Sequence, residues 1–302
     1  MTAPPAPSRR LVPIASVGIT AKTRTPSAAE VVRDAVAWLD RHGVAAILED
    51  ETARAAGLEG RPTCTGAGLA AADLVLVIGG DGTLLGVARE VVRRAPDTPI
   101  LAVNCGSLGF LTEITRGELD AALDAAVSGR SGVDERQMLR TRVLRGGRAA
   151  ADRLVLNDVV IGRSSRSSII ELSIFLGGQL ITRSRADGLI VATPTGSTAY
   201  NLAAGGPIVH PTVDALVLTP IAPHTLTNRP IVLANTAPVR IRPDLAGPHV
   251  AAHASFDGQF NVELEDGDVV VVERAPHPLR VVRAESRNYF AVLREKLKWG
   301  ER

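Results

Sequence analysis

A single carboxylate set among three glycines is the first place where this chain could do chemistry. Leu74 to Glu90 reads LVLVIGGDGTLLGVARE. The apolar run Leu74 to Ile78 has the pattern of a strand covered on both faces. Leu84, Leu85, Ala88, Val91 and Val92 then recur at helical spacing. Gly79, Gly80, Asp81, Gly82 and Thr83 therefore fall in a strand-to-helix turn, where backbone N–H groups and the helix dipole favour an anion. Glycine would let a phosphate approach closely and would permit positive φ. Asp81 would repel that phosphate unless a metal ion intervenes or the carboxylate faces a hydroxyl. The turn alone reads equally well as an ordinary βα connection with Asp near an N-cap.

Three other polar islands interrupt apolar sequence. Asn157-Asp158 lies inside LVLNDVVI, where an unpartnered polar pair is costly to bury, so the two either meet a ligand or bond backbone at a turn. Asp187 to Asn201, DGLIVATPTGSTAYN, offers a carboxylate, a run of hydroxyls and a helix start at Ser197 or Thr198; its plain alternative is an edge strand ending in a Thr-Pro turn. Pro220 to Pro230, PIAPHTLTNRP, is a proline-rich loop or a long connection.

Several familiar sites are missing. The chain has no G-x-x-x-x-G-K-[ST] and no G-x-G-x-x-G after a strand. It has no G-x-S-x-G around a nucleophilic serine. His249 and His253 stand four apart without further zinc ligands nearby, which favours a surface or loop role.

These residues need elements to position them. From about residue 11 to 128 strand and helix alternate. Val12 to Ile19 and Val44 to Leu48 read as strands. The helix between them carries a capping box at Ser27 and Glu30, an apolar face of Val32, Ala35, Val36 and Leu39, and a stop at Gly43. Ile100 to Val103 is a further strand and Gly117 to Val127 a further helix. This order implies a doubly wound parallel sheet with ligands beyond the carboxyl ends of its strands, where Gly79 to Thr83 and Asn104 to Gly109 fall.

After about residue 130 short strand-like pieces dominate: Arg140 to Leu144, Leu154 to Ile161, Ile169 to Leu176, Gln179 to Thr182, Leu189 to Ala192, Ala215 to Leu218, Pro238 to Arg242 and Val269 to Glu273. Ser197 to Ala204 is a short helical candidate. Tyr289 to Trp299 returns to helical spacing and is expected to pack on the first domain. The expected organisation is a disordered leader over 1–10, an α/β domain over 11–130 joined by about 285–302, and a mostly β domain over 131–284.

Composition excludes some classes. The 302 residues are 45% hydrophobic and 22% charged, as in a globular protein with a sizeable core. Aromatics at 3%, net charge +2 and the lack of a basic stripe argue against nucleic acid. Two cysteines, Cys64 and Cys105, make no disulfide framework and fit a reducing cytoplasm. No apolar run reaches the length of a membrane span. Ser8-Arg9-Arg10 before LVPIASVGI faintly resembles an export signal, but the apolar part is short and holds Pro13, so a Pro/Ala leader is the reading.

Taken together and in order, the islands resemble the NAD kinase family. GGDGT at Gly79 to Thr83 is shared with diacylglycerol and sphingoid kinases. NCGSLGFLTE at Asn104 to Glu113, LNDVVI, DGLIVATPTGSTAYNLAAGGPIV at Asp187 to Val209 and PHTLTNRPIV at Pro223 to Val232 resemble further blocks of the NAD kinases. The likeness is close over roughly residues 74 to 260. Asp158 departs from it, standing where many members carry Glu.

The resemblance implies transfer of a phosphoryl group from ATP or polyphosphate to the adenosine ribose 2′-hydroxyl of NAD, making NADP. Asp81 would be the general base, with Gly79, Gly80, Gly82 and Thr83 around the phosphates and a divalent cation, Mg²⁺, offsetting charge. Asn157 and Asp158 would hold the adenosine and its ribose, and Arg185 and Asp187 would lie toward the other end of the dinucleotide. Thr198, Ala199, Tyr200, Asn201, Leu202 and Ala203 would line the adenine and nicotinamide-ribose region, with Gly82 and Gln259 completing the set. No metal ligands are assigned. A cytoplasmic homo-oligomer, dimer or tetramer, is implied. The rival readings are a lipid kinase, which would not carry the Asp187 to Asn201 block, and a dinucleotide-binding regulator, which would not need Asp81.

Overall fold

Uninterrupted valine and leucine runs become buried strands, and the segments between them decide on which face each helix lies. The computed structural model describes residues 14–164, 168–225, 227–247, 249–284 and 287–299. The leader expected over 1–10, with Ser8 to Arg10, lies outside the described residues. In chain order the elements begin with β1 (Ser16–Ala21), α1 (Pro26–Arg41), β2 (Ala45–Glu49), α2 (Asp50–Ala56), β3 (Thr63–Cys64), β4 (Leu74–Gly79), α3 (Asp81–Arg94), β5 (Ile100–Asn104), β6 (Ile114–Thr115), α4 (Leu119–Val127) and β7 (Val133–Arg136). They continue with β8 (Leu139–Arg145), β9 (Arg148–Val155), β10 (Asp158–Arg163), β11 (Ile170–Leu176), β12 (Gln179–Ala186), β13 (Gly188–Ala192), α5 (Tyr200–Ala203), β14 (Ala215–Ile221) and β15 (Ile231–Ala234). The last are β16 (Val239–Asp244), β17 (Ala252–Phe256), β18 (Phe260–Leu264), β19 (Val269–Arg274), β20 (Leu279–Val282) and α6 (Tyr289–Leu297).

Two compact units result, one of residues 1–135 with 279–302 and one of residues 136–278. In the first, the strand order is β3-β2-β1-β4-β5-β20-β7, with β6 beside β5. The pairings of β1 with β2 and β4, and of β4 with β5, are parallel. The chain runs outward from β1 to β3, then crosses back to β4. The topological switch point therefore lies between β1 and β4, where open α/β sheets bind ligands. Leu74 to Gly79 is buried throughout, as its apolar run required. Gly79 at the end of β4 stands beside Asn104 at the end of β5, so both expected loops leave from the carboxyl edge.

Local chemistry adjusts the helix boundaries. α1 starts at Pro26, whose fixed φ and missing N–H suit the first helical position. Ser27 is therefore inside the helix, and no capping box forms there; Glu30 instead meets Arg116 at 2.7 Å. Gly43, at φ +67°, ends the helix as expected. The first strand is Ser16–Ala21, offset from Val12 to Ile19, and the helix expected from Gly117 begins as a 3₁₀ turn over Arg116–Glu118.

The second unit is a β-sandwich. One sheet runs β15-β14-β13-β10-β17-β18, the other β12-β11-β16-β19-β8-β9. Side chains from both sheets, Leu139, Val143, Ile161, Val191, Ile241 and Phe256 among them, share one core. β13 is buried on both faces because Val209 packs with Ile190, Ala192 and Val217 on its far side, with Ala204 against them. That small second core fixes the segment after β13. The strand expected over Leu154 to Ile161 is broken at Leu156 and Asn157, and the expected helix Ser197 to Ala204 is a 3₁₀ turn, Thr195–Thr198, followed by the single turn of α5.

Two glycines separate local propensity from packing. A Cβ at Gly86, inside α3, would meet nothing within 4 Å, whereas one at Gly196 would lie 2.0 Å from the Asn157 carbonyl oxygen. Gly86→Ala is expected to stabilise the protein by about 0.5–1 kcal/mol. Gly196→Ala should destabilise it by about 1–3 kcal/mol. Chemical denaturation of the two variants checks both signs.

Candidate functional site

Asp81 is anchored rather than exposed as a free cap. Gly80 occupies the N-cap position of α3 and Asp81 the first helical one. Its Oδ2 accepts the Phe110 N–H at 2.9 Å. Its Oδ1 accepts the Leu111 N–H at 3.1 Å, the Thr112 N–H at 3.0 Å and the Thr112 hydroxyl at 3.0 Å. The Asn104 amide donates to Thr112 Oγ1 at 2.8 Å. The two motif blocks GGDGT and NCGSLGFLTE are thus one structure. Gly109 is glycine because a Cβ there would sit 2.1 Å from Asp81 Oδ1.

The glycines of the turn do not use positive φ, contrary to one expectation from their type; Gly79, Gly80 and Gly82 are absent from the left-handed region. Their use is space. A Cβ at Gly80 or Gly82 would meet nothing within 4 Å, so open room lies beside this turn at the switch point. Thr83 turns back on Gly79, where a Cβ would come within 2.5 Å of its hydroxyl.

In the second unit, a cavity of about 800 Å³ is lined by Asn157, Asp158, Asp187, Ala199 and Tyr200 from the expected set. Asp257 organises it. Its carboxylate accepts the N–H groups of Leu156, Asn157 and Asp158 at 2.9, 2.8 and 3.2 Å. Three donors pulled toward one turn break the strand at Asn157. Asp257 itself holds φ +49° ahead of Gly258. The Asn157 carbonyl accepts from Thr193 N–H, and the Thr193 hydroxyl donates to the Leu156 carbonyl at 2.6 Å. LNDVVI and the T-P-T-G segment are stitched together through backbone.

Asp158 is 4% exposed, and none of the described residues donates a hydrogen bond to its carboxyl. Burial, and then the nearby Asp257 charge, push its pKa up from 3.8 to about 7. The Asn157 amide likewise has no partner among the described residues, and the residue is partly exposed. Both line the cavity.

The remaining expected residues divide. Asp187 pairs with Arg163 at 2.7 Å rather than with Arg185, whose side chain is exposed. Asn201 is fully buried and its amide is spent inside the fold, donating to the Ser197 and Pro207 carbonyls and accepting the Thr219 hydroxyl at 2.6 Å. Thr198 donates to the Thr195 carbonyl, Leu202 is half-buried, and Ala203 and Gln259 are exposed; none of Arg185, Thr198, Asn201, Leu202, Ala203 and Gln259 is among the residues lining the cavity.

Sequence reasoning missed Arg163, His253, Ser255 and Asp257, which also line it. The Asp257-Gly258 turn was the available signal for the last. Among the described residues no three Asp, Glu, His or Cys side chains cluster to hold a metal.

An α/β unit with a glycine-rich turn at its switch point, and a β-sandwich presenting a carboxyl and an amide to a cavity, define a class of two-unit ligand-binding proteins. The comparisons give the family. Residues 17–131 match the ATP-NAD kinase N-terminal domain and residues 156–284 the ATP-NAD kinase C-terminal domain, and the chain belongs to this family. It is 46% identical over 286 residues to the NAD kinase of Syntrophotalea carbinolica, covering 95% of this chain and 99% of that protein. The NAD kinase of Geobacter sulfurreducens is 46% identical over 287 residues, with the same coverage. Among solved structures, yeast NADH kinase complexed with NADH superposes with a TM-score of 0.87 at 28% identity, over 96% of this chain and 89% of that one. An NAD kinase from Archaeoglobus fulgidus in complex with ATP gives 0.74 at 26% identity, over 93% and 99%.

The raised pKa of Asp158 gives stability a pH signature. The folded form keeps its proton to about pH 7, while the unfolded chain releases it near 3.8. This group's contribution is therefore full below about pH 4 and is lost as pH rises through about 7. Asp158→Asn should flatten the fall of Tm over that window and raise Tm at pH 8 relative to the parent. Parallel Tm-versus-pH curves for the two proteins would refute the assignment.

Proposed function

We propose that this chain transfers the γ-phosphoryl group of ATP to the adenosine ribose 2′-hydroxyl of NAD, with Asp81 as the general base. NAD kinase activity follows from the family, and the donor from its ATP dependence. The observation that carries the substrate reading is the buried, unpartnered carboxyl of Asp158 beside the free Asn157 amide in a cavity of nucleotide size. A carboxyl and an amide side by side match the donors and acceptors of ribose hydroxyls and adenine.

In this reading Asn157 and Asp158 hold the adenosine and its ribose, and Asp187 and Arg185 lie toward the far end of the dinucleotide. Ala199 and Tyr200 form the wall, with Asn201 bracing their segment from inside; Thr198, Leu202, Ala203 and Gln259 stand outside the lining. Gly79, Gly80, Gly82 and Thr83 give the phosphates room. Asp81 Oδ1 is filled by three donors, but Oδ2 accepts only one and keeps an acceptor position for the substrate proton. The proton passes from the 2′-hydroxyl to Oδ2 as the new O–P bond forms and the bond to the ADP leaving group breaks, giving NADP and ADP. Mg²⁺ fits as a companion of the donor's phosphates, which usually supply most of its coordination besides water; when bound it neutralises phosphate charge.

The reading extends to a cytoplasmic homo-oligomer. Both cysteines are free, and among the described residues no helix is long and apolar enough to cross a membrane. β15 is one of the two edge strands of its sheet and exposes Ile231 and Val232, the second at 48%. Adjacent exposed apolar side chains on a sheet edge favour pairing with another chain.

Purified protein with NAD and MgATP, or with polyphosphate in its place, should form NADP with ATP. In the same assay Asp81→Asn should lower kcat about 10²–10⁴-fold while calorimetry shows NAD still bound. Near-normal turnover of that variant would rule out Asp81 as the base. Val232→Lys should shift the sedimentation velocity toward the monomer; an unchanged oligomer would place the interface elsewhere.

A further inference from the structure

The segment that holds Asp81 is itself held from the C-terminal end of the chain. Residues 110–112 supply all four hydrogen bonds to the Asp81 carboxylate. The next residue, Glu113, offers its carbonyl to the Arg287 guanidinium at 3.1 Å. The same guanidinium donates to both carboxylate oxygens of Glu118, at 2.9 and 2.8 Å. Glu118 in turn accepts the Thr115 N–H at 2.8 Å and the Thr115 hydroxyl at 2.7 Å. Thr115 therefore cannot shift without disturbing the charge pair.

A second contact comes from the same C-terminal stretch. Asn288 caps α6 by accepting the Ala291 N–H at 3.0 Å, which sets the helix start directly after Arg287. Lys296, near the end of α6, places its ammonium 5.7 Å from the centre of the Phe110 ring. Phe110 is the residue whose N–H is the single donor on Asp81 Oδ2. The loop is thus gripped at Phe110 and at Glu113 by residues more than 170 positions downstream. Arg287 is only 23% exposed at its side chain, and its partner Glu118 30%. Such a charge-assisted, multidentate grip fixes orientation more than a lone surface pair does.

We propose that Arg287 is a positioning residue for the phosphoryl-transfer carboxylate. It fixes residues 110–118, and through them the direction in which Asp81 Oδ2 presents its remaining acceptor position. Arg287 touches neither substrate in this proposal, and the inference rests on the reading of Asp81 as the base. Small displacements of a reacting group can cost up to about 100-fold in rate, so the grip is expected to appear in kcat rather than in substrate binding.

The test is a double-mutant comparison in full-length protein with NAD and MgATP. Arg287→Ala should lower kcat about 10- to 100-fold with KM for NAD within about twofold. Arg287→Lys, which keeps the charge and one donor direction, should recover part of the loss. In an Asp81→Asn background, adding Arg287→Ala should cause no further loss of the residual rate, because the carboxylate it orients is already gone. Equal fractional losses in both backgrounds would overturn the proposal, as would a change seen only in Tm or in KM. If Asp81→Asn alone keeps a normal kcat, the base assignment fails and this inference with it. If Asp81→Asn collapses while Arg287→Ala is additive, only this inference fails. Should Arg287→Ala not fold, Glu118→Gln, which keeps shape and removes the charge, carries the same comparison.

Discussion

The bonding of one carboxylate to one loop governs the ligand end of the first unit. Asp81 collects three backbone N–H groups and a hydroxyl from residues 110–112. Hydrogen bonds to an ionised acceptor are short and about twice as strong as neutral ones. Their cost is stringency in the surroundings. Gly109 has no room for a Cβ, Thr112 must present its hydroxyl, and Asn104 must be placed to support it. The turn after β4 and the loop after β5 are adjacent because their strands pair in register, Gly79 beside Asn104. The carboxylate converts that adjacency into one rigid object. On the proposed reading of Asp81 as the base, such preorganisation would set the distance and angle at which it receives a proton.

The second unit uses a buried acid in the same way for a different purpose. Asp257 gathers three successive N–H groups and so forces the chain out of strand geometry at Asn157. Its negative charge then sits near Asp158, which has no donor among the described residues and holds its proton to about pH 7. One acid is satisfied and organises backbone; the other is left unsatisfied and presented to a cavity. A buried polar group without a partner costs stability, and such strain is tolerated where a ligand supplies the missing partner. The T-P-T-G segment completes the arrangement, with Gly196 packed so tightly on the Asn157 backbone that only hydrogen fits.

The relation between motif and role is not uniform. Asn201 closes the polar island 187–201, yet its side chain is used up in holding residues 197–207 and Thr219 together. Asp158, from the shorter block LNDVVI, is the residue that presents an unpartnered carboxyl to the cavity among the described residues.

Local physics was legible in the chain alone. Leu74 to Gly79 had to be a buried strand because every side chain in it is apolar and branched or absent. Gly43 had to end α1 because a left-handed residue was needed there, and the polar islands at 79–83, 157–158 and 187–201 stood out against apolar surroundings. Periodicity and turn chemistry act within a few residues, and a sequence displays them directly. What the sequence did not display are the partners. Asp257 reaches Leu156 across 101 positions, and Arg287 reaches Glu118 across 169. β20 returns to pair with β5 after the whole β-sandwich has intervened. The Ser27 box failed for a related reason: Pro26 and Arg116 outcompeted it, and one of them lies far along the chain. Hydrogen bonds between distant residues depend on which strands become neighbours, and only the closed fold decides that.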